Sequence, residues 1–124
     1  MSKEIGVLIV VVLKARNLAD PHSLYKQDAY AVASLNGKKE QTHVEVKGGQ
    51  HPEWDDELRF PVFESTKKEA RTLEVSCWSK EPRQDEVVGK GELDITETLK
   101  TGEFDGEQIM FHRDRHRAYD RLHV

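Results

Sequence analysis

The run Ile5-Gly6-Val7-Leu8-Ile9-Val10-Val11-Val12-Leu13 constrains this chain more than any other feature. A helix that crosses a bilayer needs about 20 apolar residues, so this run is too short to span one. It also lacks the small-residue cleavage site of a secretory signal, because Ala15 is followed by Arg16 and Asn17. Its β-branched side chains pack well on a pleated surface, which predicts a strand buried on both faces or nearly so. A chain of 124 residues can enclose such a strand in one two-layer core, and it reads as a single domain over 1–124.

The punctuation after this strand is that of an all-β domain. A second strand is expected over 28–35, followed by Asn36-Gly37, a hairpin signal because both residues tolerate positive φ. A third strand is expected from Lys38 to Val46, where Thr42, Val44 and Val46 alternate with His43 and Glu45. In the fourth, 57–63, Leu58, Phe60 and Val62 share one face, and Pro61 demands an edge or a bulge. The fifth, 72–78, turns Leu73, Val75 and Cys77 inward. The sixth covers 87–95, a helical turn capped by Thr96 follows, and strands over 108–112 and 118–123 close the chain. The pattern predicts an eight-stranded antiparallel Greek-key β-sandwich.

Charge and cysteine content narrow the function classes. The net charge of −4 makes the chain as a whole no match for nucleic acid. With 36% hydrophobic residues in dense runs it is not a disordered polymer, despite 34% charged residues. Cys77 is the single cysteine, so no internal disulfide forms, which fits a reducing, cytoplasmic setting. No nucleophile elbow, zinc spacing or phosphate-cradling glycine loop is present, so no catalytic residue is nominated and no enzyme is expected.

Several ordered motifs resemble the C2 domain family. Ala15-Arg16-Asn17-Leu18 and Gln27-Asp28-Ala29-Tyr30 look like the first strand end and the "SDPY" entry. The segment from His51 to Phe60 is similar to "NPxWNExFxF", and Trp78 with Val87-Val88-Gly89 is similar to the frame of the third loop. Gly48-Gly49-Gln50-His51-Pro52 with Trp54-Asp55-Asp56-Glu57 is especially similar to fungal ingression-type C2 proteins, which are associated with cytokinesis and polarised growth. The resemblance covers about residues 5 to 113. It implies type II topology and a docking module, which binds either an anionic phospholipid membrane, peripherally from the cytoplasm, or a protein partner.

In C2 domains that bind calcium, carboxylates of the first and third loops supply the oxygen ligands that this hard cation requires. The resemblance places His22, Asp28, Cys77 and Ser79, then Asp85 or Glu86, at those positions, with Asp20 nearby. Imidazole and thiol are poor ligands for calcium. The metal set therefore reduces to Asp28, Asp85, Glu86 and Asp20. No cofactor is expected, and any calcium should bind with a dissociation constant weaker than about 10⁻⁴ M. For Asp28 a loop cap that accepts backbone N–H groups is expected ahead of metal ligation.

The lysine cluster that lets some C2 domains hold phosphoinositides is replaced here by Val32, Ser34, Gln41 and His43. The nominated lipid-facing residues are instead His22, Leu24 and Lys26 of the first loop with Trp78, Lys80 and Arg83 around the third. Residues 112 to 124 carry a net +2 through Arg113, Arg115, Arg117 and Arg121 against two aspartates, a source of weak attraction to an anionic leaflet. Trp54 is expected to pack beneath the loops, with membrane insertion as the alternative.

Overall fold

The computed structural model describes residues 3–21, 25–65, 67–96, 99, 110–112 and 122–123. Its strands are β1 (Glu4–Lys14), β2 (Ala29–Leu35), β3 (Lys38–Gln41), β4 (Glu53–Phe63), β5 (Thr72–Ser79) and β6 (Glu86–Asp94). Two short pairings follow, β7 (Met110–His112) and β8 (Leu122–His123). One sheet has the order β4-β1-β7 with β8 also on β1, and the other has the order β3-β2-β5-β6. A short 3-10 turn at Lys68–Arg71, which the sequence pattern did not signal, leads into β5.

The apolar run of β1 is explained by its position between two neighbours. Leu8 through Val12 are all buried. Leu8, Val10 and Val12 join Ala31, Ala33, Leu58, Phe60, Val62 and Leu73 in one core between the sheets. Ile9 and Val11, which alternate to the other face, are buried as well. Each such side chain contributes about 1.5–3 kcal/mol by leaving water. Cys77 faces the same core, as expected, whereas Val75 is only partly buried. The Asn36-Gly37 hairpin forms as the sequence predicts, with φ of +50° and +87°. Pro61 lies on β4, an edge strand among the described residues, so its missing N–H breaks no ladder bond there.

Three local expectations need correction. The third strand stops at Gln41 instead of Val46. The Thr42 hydroxyl accepts the Ala31 N–H at 2.9 Å in place of a backbone carbonyl. The next contact, the bridge of Ala29 with Glu45, then comes after one extra residue on the outer chain. Asp94, not Thr96, provides the cap, accepting the Thr96 N–H at 2.8 Å. Finally, β8 runs parallel to β1, not antiparallel. β7 covers only Val7 to Ile9, which leaves the Val10–Val11 section of the same edge for β8.

The registers decide which connections meet. Lys14 lies opposite Glu53, Ala29 opposite Ser79, and Ser79 opposite Glu86. The connections 15–28, 42–52 and 80–85 therefore gather at one end of the sandwich. At that end an extra residue in β4, between the pairs Val12–Asp56 and Lys14–Glu53, is taken up with Asp55 at φ +52°.

Candidate functional site

The three loops are braced by backbone groups. Loop one (15–28) and loop two (42–52) exchange Ala15 N–H to the Pro52 carbonyl and Leu18 N–H to the Gln50 carbonyl, both at 3.1 Å. The Gln50 amide returns a bond to the Leu18 carbonyl at 2.8 Å, and His51 Nδ1 accepts the Asn17 N–H at 3.2 Å. Gln27, buried at the centre, donates through Nε2 to the carbonyls of Ala19 and Gly49. Ala19 N–H reaches the Val88 carbonyl, and Lys80 N–H reaches the Asp28 carbonyl, so loop three (80–85) is held too. Such bonds hold the described parts of the three loops to one another.

Trp54 is buried beneath these loops, and its Nε1 donates to the Ala29 carbonyl at 3.0 Å, tying the sheets together. The packing expectation holds and insertion into a membrane is excluded for this ring.

Each nominated carboxylate has a distinct place. Asp28 Oδ1 accepts the Lys47 N–H at 2.8 Å, so it caps loop two as one sequence reading proposed. Asp85 Oδ2 accepts the Tyr30 hydroxyl at 2.6 Å and Oδ1 accepts the Glu81 N–H at 3.1 Å. The Tyr30 hydroxyl, then the Glu81 N–H, hold the Asp85 carboxyl below the usual aspartate range. Burial, reinforced by Asp85, pushes the Tyr30 hydroxyl up to about 12. Asp20 is exposed, and Glu86 opens β6. Among the described residues no group of three or more His, Cys, Asp or Glu side chains is placed to hold a metal ion. The two positions where the resemblance expects aspartates, Cys77 and Ser79, are buried, and Ser79 Oγ donates to Glu81 at 2.7 Å. The acidic run Asp55-Asp56-Glu57 is likewise dispersed: Asp56 takes the His43 N–H and Nδ1, and Glu57 pairs with Arg59.

The nominated lipid-facing residues divide. His22 and Leu24 lie outside the described residues, as do the arginines after residue 112. Lys26 and Arg83 are exposed at the loop end. Lys80 leans back, 3.5 Å from Asp85 and over the Tyr30 ring. Trp78 is not at the loop tips. It sits on the outer face of β5, opposite Tyr30, with Nε1 donating to Ser76 at 2.8 Å.

Sequence reasoning missed the exposed apolar residues. Tyr25, Val46 and Val87 are 52%, 65% and 50% exposed, and all three belong to the loop end. Burial raises the Tyr25 hydroxyl, as do its 3.1 Å bond to Glu81 and the charges of Glu81, Glu86 and Asp20. No strand pattern marks Tyr25, which lies in a loop, and the strand period through Val46 assigned it to a third strand that in fact stops at Gln41.

A model of the C2 domain family matches residues 6–110, in agreement with the two-sheet architecture and the loop arrangement. The chain belongs to the C2 domain family. It is 30% identical over 105 residues to protein SRC2 of Glycine max, covering 80% of this chain and 36% of that protein. It is 31% identical over 91 residues to a GTPase activating protein 1 of Oryza sativa subsp. indica, covering 73% of this chain and 52% of the other. The chain thus spans about a third to a half of the curated relatives it matches. Among solved structures, the calcium-bound pair of C2 domains from extended-synaptotagmin 2 shares its fold. There the TM-score is 0.73 at 22% identity, over 86% of this C2 chain and 40% of that one. C2 domains act as membrane-docking or protein-interaction modules. No helix among the described residues of this C2 domain is long and apolar enough to cross a membrane.

Proposed function

We infer that this C2 domain is a non-enzymatic module that docks its loop end on an anionic phospholipid surface without requiring calcium. One observation carries the reading: the exposed large apolar side chains Tyr25, Val46 and Val87 share the loop end with the exposed cations Lys26, Lys47 and Arg83. Tyrosine favours the interfacial layer, and each cation near an anionic leaflet adds about 1 kcal/mol. The calcium-independent part is supported by Asp28 Oδ1 and both oxygens of Asp85, which already accept backbone and hydroxyl donors. A peripheral, cytoplasmic location follows from the same reading. An eight-stranded sandwich of type II order is part of this proposal, as is the kinship to ingression-type proteins suggested by Gly48 to Pro52.

The test is co-sedimentation with phosphatidylserine vesicles in chelator and in calcium. Retention in chelator is expected, with weakening as salt shortens the screening length to about 8 Å near physiological strength. Val46→Asp with Lys47→Glu should reduce binding by an order of magnitude or more. No retention at low salt, or retention only with calcium, would refute the reading.

A further inference from the structure

The outer face of the β3-β2-β5-β6 sheet forms an open groove of about 1260 Å³ that runs from the strands up to loop three. Strand registers lay out its floor as cross-strand rows. Nearest the loops, Tyr30 faces Trp78. The next row on that face runs Gln41, Val32, Ser76, Lys90. The one beyond runs Lys39, Ser34, Glu74, Glu92. Glu74 and Glu92 are therefore direct neighbours on adjacent strands, both exposed. Like charges placed directly opposite each other destabilise a sheet, and a cation lying between them relieves that repulsion.

The groove's own cations do not fill this role. Lys80 is held by Asp85 and the Tyr30 ring, and among the described residues none of Lys39, Arg83 and Lys90 closes an ion pair with either glutamate. Trp78 is fixed by its bond to Ser76 and offers an apolar face at the other end of the floor. Trp78 and Glu74 stand four residues apart on β5, about 13 Å at the rise of a strand. An extended segment covers that span with about four residues of its own.

We propose that this face binds an extended protein segment, seating a lysine or arginine over Glu74 and Glu92 and an aromatic side chain four residues away against Trp78 and Tyr30. Charge complementarity selects this occupant over an anionic lipid, because the glutamate pair repels a phosphate headgroup. Lys90, one row nearer the loops, sets polarity by meeting the segment's carbonyls or a carboxylate between the two anchors. The site goes beyond the membrane-docking reading and shares only Arg83 with the side chains that carry it, so either can fail alone.

The probe is a capped peptide with one arginine and one tyrosine separated by three glycine or serine residues, titrated against the whole chain. Binding is followed by the emission of Trp78, with Trp54→Phe removing the buried fluorophore. The expected result is a saturable shift that weakens about tenfold or more in Glu74→Lys/Glu92→Lys. A peptide with glutamate in place of the arginine should bind that variant better than it binds the parent. Folding of each variant is checked by circular dichroism, and Lys39→Glu serves as a second, independent reversal that should strengthen the arginine peptide. No binding by the parent would overturn the proposal. So would equal affinity for peptides with the two anchors adjacent, or a charge reversal without effect.

Discussion

Replacing Thr42 by valine isolates one interaction that shapes both the edge of the groove and the start of loop two. Valine matches threonine in shape, so the hydroxyl is the main thing lost. In the native chain that hydroxyl accepts the Ala31 N–H at 2.9 Å and donates to the His43 carbonyl at 2.8 Å. Thr42 and Ala31 are both buried, so water does not replace the first bond. A buried N–H left without a partner costs about 1–3 kcal/mol, while the His43 carbonyl is exposed enough to find water. The expected loss is about 2 kcal/mol, which is on the order of 8 °C in Tm for a domain of this size. Urea unfolding followed by circular dichroism should show a midpoint lower by about 1 M or slightly more with an unchanged slope. Thr42→Ser keeps the hydroxyl and should cost less than about 1 kcal/mol. Stability of Thr42→Val within about 0.5 kcal/mol of the parent, or equal damage from both substitutions, would refute the reasoning.

Two further outcomes test the electrostatics. Tyr30→Phe removes the strongest influence that lowers the Asp85 carboxyl. That contribution is full above the ordinary aspartate pKa of about 4 and is lost as pH falls through the lower folded value. The urea midpoints of parent and variant should therefore differ by a constant amount near neutrality and converge in acid. They should converge again in base between about 10 and about 12, because the raised Tyr30 hydroxyl stabilises the fold only below its unfolded pKa. The Cys77 thiol, pushed up to about 11 by burial, should react with a maleimide at pH 8 only as fast as the domain opens. Immediate labelling of the native protein would contradict its inward placement, and stability should decline as pH rises past about 8.5 toward that value.

Much of the architecture was legible because it rests on local pattern. The alternation of Leu58, Phe60 and Val62, the β-branched run of β1 and the Asn36-Gly37 turn each state their structure within a few residues. The burial of Trp54 was legible on a different ground, the resemblance, which implies an aromatic packed beneath the loops at this position. The third strand misled because Thr42-His43-Val44-Glu45-Val46 keeps the period of a strand after the ladder has broken. What breaks the ladder is a threonine hydroxyl standing in for a carbonyl, and periodicity carries no trace of that substitution. Trp78 was nominated for the loop tips from its closeness in sequence to loop three. Its alternation with Cys77 turns it instead to the outer sheet face.

The sequence by itself determined that the chain would be all-β, where most strands and one hairpin would lie, and which apolar side chains would be enclosed. These are consequences of backbone sterics and of period-two burial, acting over short stretches. Only the tertiary structure decided that Tyr25, Val46 and Val87 share an end, that Asp85 clasps Tyr30, and that Glu74 confronts Glu92. Those partners are 18 to 62 residues apart along the chain. They meet because strand register and direction bring them together, and register is a property of the whole packed sheet, not of any segment within it.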